Sequence, residues 1–260
     1  MADTVRIERD DMSLEVTLPR KVRRVVSLVP SITEAVAATA PELLIGATTW
    51  CTHPPDLDVE RVRGTKNPDV RRIVELAPDV VLLNKEENRA LDHQRLRKAG
   101  IAVWVTVIED VDSALRSLAR LFTAALDLPV PPWLTTATER LGGGVPEPVA
   151  RAVVCVWRDP WMVVGSNNFA TDLLRRIGVE NVYANHDGRY PQMPLEDIKT
   201  SGADLVVLPD EPYEFTTEDG PEEFPGRARL VSGRSLTWYG PSLVDARDTL
   251  SRQLGLVPEA

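Results

Sequence analysis

The chain has 260 residues, 43% of them hydrophobic and 27% charged, with 30 Lys and Arg against 39 Asp and Glu for a formal net charge of -9. This composition excludes a disordered chain, and the length serves one large domain or two lobes of about 100 to 130 residues, each able to bury its own core. The acidic balance excludes nucleic acid and anionic membrane as partners, because both demand a concentrated basic face.

Residues Met1 to Glu8 alternate charge with short apolar residues and carry no apolar leader, lipobox or twin-arginine signal, so the chain as written is expected in the cytoplasm; a trimmed leader would place it outside. Apolar runs such as Val80-Val81-Leu82-Leu83 have strand length, far short of the roughly 20 residues of a membrane helix. Cys51 and Cys155 lie far apart in apolar surroundings and predict no disulfide framework.

The first strand is expected at Val25 to Val29, stopped by Pro30. Ser31-Ile32-Thr33-Glu34 then fits a capping box, with Ser31 accepting from the Glu34 amide and starting a helix. A strand from Leu43 to Thr49 leads into the loop Trp50-Cys51-Thr52-His53-Pro54-Pro55. A helix over 69–76, a strand over 79–83, a helix over 86–98, a strand over 101–107 and a helix over 111–125 follow. This alternation predicts a parallel sheet with helices on its faces. From Leu128 to Pro148 the pattern breaks into prolines and glycines around one helical run, Trp133 to Leu141. Gly142-Gly143-Gly144 follows a helix rather than a strand and lacks a phosphate-loop context, so it reads as linker.

Beyond the linker the first half has an echo. Arg24 to Pro30 matches Arg151 to Trp157 at an offset of 127, and Pro78 to Glu86 matches Ala203 to Glu211 at an offset of 125. The expected fold is therefore α/β: an N-terminal lobe over 1–128, a connector over 129–148 and a C-terminal lobe over 149–260, with mainly parallel sheets.

Open α/β sheets present ligand contacts in the loops at the carboxyl ends of their strands. Those loops hold Pro30 and Ser31, then Trp50, Cys51 and His53, then Glu86, Glu87 and Asn88 in the first half. In the second half they hold Trp157 and Trp161, Tyr190, Tyr213 and Phe215, and Trp238 and Tyr239. Only 14 residues are aromatic, and their concentration here predicts an aromatic-lined cleft, with some rings serving as cover over the sheet edge. Cys51 and His53 are both metal-ligand types, but a protein-held ion wants three or four ligands, and His93 and His186 are not at a recognisable spacing. No G-x-S-x-G, H-E-x-x-H, P-loop or dinucleotide fingerprint occurs. Glu86 with Glu87 and Glu211 with Glu214 could pair as acid and base, yet acidic turns after strands more often cap helices or face water. No enzyme activity is expected.

The segments Arg24-Val25-Val26-Ser27-Leu28-Val29-Pro30-Ser31-Ile32-Thr33-Glu34, Ile73-Val74-Glu75-Leu76-Ala77-Pro78-Asp79-Val80-Val81 and Gly178-Val179-Glu180-Asn181-Val182-Tyr183 resemble the helical-backbone metal receptor superfamily. These are the class III substrate-binding proteins of ABC importers for vitamin B12 and iron siderophores. The likeness runs from about residue 14 to the C-terminus and is greatest to the cobalamin-binding type, in a branch marked by Cys51-x-His53-Pro54, Trp157-Arg158-Asp159-Pro160-Trp161, Arg189-Tyr190-Pro191, Glu211-Pro212-Tyr213 and Trp238-Tyr239-Gly240. The resemblance implies two Rossmann-like lobes joined by a long helix, with a corrinoid or similar metal chelate held in a cleft between them. It implies no covalent cofactor and no resident metal, with His53 as an axial or hydrogen-bonding contact to the chelate's metal. The implied partners are the chelate and an importer permease that docks at Glu196, for a protein that is itself a monomer. At the first-lobe docking position Arg71 stands where the family has an acid, and the proline-broken connector departs from a continuous helix. The alternative reading is a cytosolic tetrapyrrole- or metal-handling protein that no longer docks a transporter.

Overall fold

Val80–Asn84 and Leu205–Pro209 are buried at every position. Strands with no polar face belong inside parallel sheets covered on both sides. The structure, a computed structural model, describes residues 5–256; the part of the leader reading that falls on Met1 to Thr4 lies outside the described residues. The chain divides into two compact units. The first comprises residues up to Ile108, Asp112–Thr135 and Tyr239–Pro241; the second comprises Glu109–Val111, Thr136–Trp238 and the chain from Ser242.

A hairpin of β1 (Val5–Arg9) and β2 (Glu15–Pro19) opens the chain, and its alternating residues gave no sequence expectation. Then come β3 (Val25–Ser27), α1 (Pro30–Ala37), β4 (Leu44–Ala47), β5 (Glu60–Arg61), a short hairpin of β6 (Arg63–Gly64) and β7 (Asn67–Pro68), and α2 (Val70–Leu76). β8 (Val80–Asn84), α3 (Ala90–Lys98), β9 (Val103–Thr106) and α4 (Val111–Arg120) follow, the last running on as a wide π-turn over Leu121–Ala125. The boundary between the units falls inside α5 (Pro132–Leu141), between Thr135 and Thr136. The remainder is β10 (Ala150–Trp157), β11 (Met162–Val163), α6 (Phe169–Arg176), β12 (Val179–Asn181), α7 (Leu195–Lys199), β13 (Leu205–Pro209), β14 (Ala228–Val231), α8 (Gly233–Thr237) and α9 (Leu243–Gln253).

The first unit's sheet has the order β5-β4-β3-β8-β9, all parallel. Its first strand in chain order, β3, is central, with β4 and β5 on one side and β8 and β9 on the other. That leaves a topological switch point between β3 and β8, the crevice where such sheets take ligands. The second unit repeats the plan: β12 and the antiparallel β11 flank β10 on one side, with β13 and β14 on the other. Val26, Leu28, Ile73, Val81, Leu83 and Leu96 pack into the first core. Val153, Cys155, Trp161, Val206, Phe215 and Phe224 pack into the second.

Strand register reproduces the internal echo. Val25 pairs with Val80 and Ala152 with Leu205, steps of 127 and 125, while Val81–Val103 and Val206–Ala228 both step by 125. The ties at the strand starts repeat too. Asp79 Oδ2 accepts the Arg24 amide at 3.0 Å, Asp204 Oδ2 accepts the Arg151 amide at 2.8 Å, and each aspartate's own amide returns 2.8 Å to that arginine's carbonyl.

One local expectation is corrected. α1 begins at Pro30, in the N1 position that proline favours, and its N-cap is Val29, with no side-chain cap. Ser31 is therefore inside the helix and the capping box does not form. α3 also begins later than its periodicity suggested, because Asn84 and Asn88 hold the intervening residues as a turn.

Candidate functional site

In the first unit the loop after β4 separates its predicted site residues by burial. Cys51 is fully buried, with Sγ 3.0 Å from Thr33 Oγ1 and 3.2 Å from Thr48 Oγ1. Arg61 donates to the Thr48 and Cys51 carbonyls at 3.2 and 3.0 Å, which stitches the loop down over the start of α1. Burial pushes the Cys51 thiol up, opposed by the hydrogen bonds to Thr33 and Thr48, so the sulfur stays protonated. Trp50 is 65% exposed. Its ring lies along the β6–β7 hairpin, where a Cβ on Gly64 would stand 3.3 Å from the indole Nε1. His53 is half-buried, its Nδ1 3.2 Å from the Thr52 hydroxyl, ahead of a cis peptide to Pro54.

The loop after β8 is built by two asparagines, of which sequence reading named only Asn88. Asn88 Oδ1 accepts the Asn84 amide at 2.8 Å, and its Nδ2 donates to the Leu28 and Thr65 carbonyls at 3.1 and 3.0 Å. Asn84 Oδ1 accepts the amides of Glu86 and Glu87 at 2.8 and 3.3 Å. Asn88 is buried and committed to backbone; it ties the ends of β3 and β8 across the switch point. An Asn at a strand end followed by another four residues on is a readable turn signal for Asn84. Glu86 is exposed, while Glu87 is half-buried and accepts the Tyr239 hydroxyl. Burial raises the Glu87 carboxyl above its usual range, against the pull of Tyr239 and Lys66. Pro30 is half-buried and Ser31 buried; a Cβ on Gly240 would stand 3.0 Å from the Ser31 carbonyl oxygen, so glycine eases the close approach of Tyr239–Pro241 to the start of α1.

In the second unit the two tryptophans of the β10–β11 turn part company. Trp157, at the end of β10, is 43% exposed and meets Tyr213 edge-on at 5.6 Å. Trp161 is 7% exposed, stacked on Phe215 at 5.9 Å and edge-on to Phe224 at 5.4 Å. Between them Arg158 lies over the Trp161 ring at 5.4 Å and donates to Asp219 and to Glu222. Tyr213 donates its hydroxyl to Asp219 at 2.5 Å. Tyr190 is 47% exposed on a segment that runs along β11, where the Gly165 amide donates to the Arg189 carbonyl at 2.8 Å and the Val163 amide to the Pro191 carbonyl at 3.0 Å. Trp238 is buried at the end of α8. Sequence reading passed over Arg158 and Asp219, whose partnership spans 61 residues.

His186 is exposed and turned to its neighbour's carbonyl, Asp187 O, at 2.7 Å. Among the described residues no three His, Cys, Asp or Glu side chains gather as a metal-ligand set. No helix of the described residues is long and apolar enough to cross a membrane. What the surface does offer is ring area: of the large apolar side chains of the described residues that stand out of it, the aromatic ones are Trp50, on the loop after β4, Trp157, at the end of β10, and Tyr190, on the segment alongside β11.

No protein-family model matches the chain. Over 203 residues it is 26% identical to the vitamin B12-binding protein of Vibrio parahaemolyticus, a match that covers 71% of this chain and 70% of that relative. The chain is similar in sequence to vitamin B12-binding proteins of several bacteria. Among solved structures, the periplasmic vitamin B12 binding protein BtuF of Vibrio cholerae superposes with a TM-score of 0.74 at 16% identity, over 90% of this chain and 97% of that one. The periplasmic heme-binding protein RhuT from Roseiflexus sp. RS-1 gives 0.73 at 18%, over 90% and 98%. At these identities the superpositions establish the class III fold, two α/β units with mainly parallel sheets. These relatives are binding proteins rather than enzymes.

Proposed function

We propose that the protein is a non-enzymatic receptor for a corrinoid or similar flat metal chelate, linked to ABC-type uptake. The observation that carries this reading is the exposure of Trp50, Trp157 and Tyr190, on the loop after β4, at the end of β10 and on the segment alongside β11. Exposed rings offer apolar faces on which a flat macrocycle can stack. The relatives named for vitamin B12 support the same class. In this reading Trp50, Trp157, Tyr190 and Tyr213 contact the ligand, with Pro30, Ser31, His53 and Glu86 beside them. Asn88, Cys51 and Trp161 hold the loops from beneath, and Trp238 and Tyr239 are seated in the fold. The chelate brings its own metal, so an incomplete protein ligand set is sufficient.

Calorimetric titration with cyanocobalamin, dicyanocobinamide and haemin tests the proposal. At least one should bind in the micromolar range or tighter, and Trp157→Ala should weaken it about five- to twentyfold, as expected for one lost stacking ring. Trp161→Ala should instead cost about 3 kcal/mol of folding stability, as expected for a large ring cut from a core. Absence of binding by all three chelates would refute the reading.

The surface at the docking positions favours keeping a second reading. Glu196 is 78% exposed, with Lys199 at 3.8 Å. Arg71, at the position where the resemblance expects an acid, is 90% exposed and paired with Glu75 at 3.0 Å. Opposite charges at the two positions suit a chelate-handling protein of the cytoplasm that has lost importer docking. Fractionation of the native host separates the readings, since uptake requires the protein outside the cytoplasmic membrane.

A further inference from the structure

Arg158 is the one cation on the β10–β11 turn, and it is fully engaged by the protein itself. Its guanidinium meets Asp219, Glu222 at 2.5 Å, Glu223 at 3.7 Å and Asp159 at 3.8 Å, and it lies over the Trp161 ring. The facing loop over 210–224 carries Asp210, Glu211, Glu214, Glu218, Asp219, Glu222 and Glu223 and neither Lys nor Arg. Lys199, at 2.8 Å from Glu223, is a second base paired with these acids. Asp219 is the hinge of the arrangement, because it takes both the Arg158 guanidinium and the Tyr213 hydroxyl. The hydrogen bond to Asp219, then burial, pushes the Tyr213 phenol above its usual range, so the ring is held as a neutral donor. Tyr213 in turn sets the angle of the exposed Trp157, 74° between ring planes.

We propose that Arg158, Asp219 and Tyr213 form a positioning assembly that fixes the Trp157–Tyr213 ring pair and, by consuming the local cation inside an acidic loop, selects a chelate whose rim carries amides or positive charge over one bearing free carboxylates or catecholates. This rests on the chelate-binding reading and adds the charge class of the ligand. An anionic rim placed on these rings would find the Arg158 guanidinium already committed and the exposed carboxylates of Glu214 and Glu218 on the same loop. Amide groups would find acceptors that need no counter-charge.

The test uses the full chain and three probes: dicyanocobinamide, haemin with its two propionates, and a ferric tris-catecholate. Wild type should prefer dicyanocobinamide to either anionic probe by about tenfold or more. Tyr213→Phe keeps the ring and removes its bond to Asp219, and should weaken dicyanocobinamide about threefold or more; Arg158→Gln should weaken it about tenfold, with partial rescue in Arg158→Lys. Circular dichroism and thermal melting check that each variant is folded, and Tyr213→Phe carries the test if Arg158→Gln is not. Glu214→Gln with Glu218→Gln should shift the preference toward haemin about threefold, a change that a purely structural role for the loop would not produce. Tighter binding of haemin or the catecholate by wild type, or unchanged dicyanocobinamide affinity in Tyr213→Phe and Arg158→Gln, overturns the proposal and leaves chelate binding standing. Failure of every probe to bind removes the receptor reading itself, and this inference with it.

Discussion

Trp157 and Trp161 flank one hairpin turn, yet one ring is open to solvent and the other belongs to a core, and the same division separates Trp50 from Cys51. Residue type and loop position, which sequence supplies, cannot make that distinction; it depends on Phe215 and Phe224, more than 50 residues on, and on Thr33, 18 residues back. That the rings fall on the loops around the strands was legible, whereas burial residue by residue was not. The cysteines give a direct check. Burial pushes both thiols upward, Cys155 furthest, and the thiolate is the reactive form, so neither should react with iodoacetamide at about pH 8 in the folded protein. Both should be labelled once urea unfolds the chain, as read by intact mass. Rapid labelling of Cys51 in the folded state would return it to the accessible surface and to candidacy as a ligand contact.

α6 shows what an element adds beyond its periodicity. Its sequence is amphipathic, and Asn168 caps it by accepting the Ala170 amide at 3.0 Å. Asp172 does more: its Oδ2 accepts the Val111 amide at 3.0 Å and Arg176 at 3.0 Å, and its Oδ1 accepts Arg175 at 2.6 Å. Arg176 donates onward to the Leu141 carbonyl at 2.8 Å, so one buried carboxylate joins the start of α4, the body of α6 and the end of α5. The i to i+3 and i to i+4 arginines could be read from sequence; the amide 61 residues away could not. Burial alone would raise this carboxyl, but the bonds from Arg175, the Val111 amide and Arg176 outweigh it and hold it below its ordinary value. A depressed folded-state pKa stabilises above the unfolded value of about 3.9 and loses that stability as pH falls through the folded value. Asp172→Asn should therefore cost about 2 to 3 kcal/mol at neutral pH in urea unfolding, and the gap to wild type should close below about pH 4. A constant gap across that range would mean the aspartate acts by shape alone.

At the scale of the whole molecule the informative signal in the sequence was repetition, and it survived because strand register is a rigid constraint. A slip of one residue turns every side chain of a strand to the opposite face, so two descendants of one sheet keep their spacing even where residues diverge. The offsets of 127 and 125 reappear as the register of β3 on β8 and of β10 on β13. The two-residue difference falls between the first strand and its neighbour, where helices and loops absorb length. By contrast, nothing local marks Tyr239–Pro241 as part of the first unit, since Trp238 and Ser242 on either side belong to the second; contacts with Glu87 and the start of α1 help to give that segment its place. If the units are true repeats, Asp79 and Asp204 perform one inherited task, tying the start of the central strand to that of its neighbour. Asp79 accepts two amides, Arg23 at 2.7 Å and Arg24 at 3.0 Å, whereas Asp204 accepts only that of Arg151. Both ties are solvent-exposed, so each is worth about 0.5 to 1 kcal/mol. Asp79→Ala should then destabilise by about 1 to 2 kcal/mol and Asp204→Ala by about half as much. Because the ties lie in separate cores and share no partner, the double variant should show the sum to within about 0.5 kcal/mol in urea unfolding. A larger cost at Asp204 than at Asp79, or a double variant far from additive, would count against equivalent roles for the two aspartates.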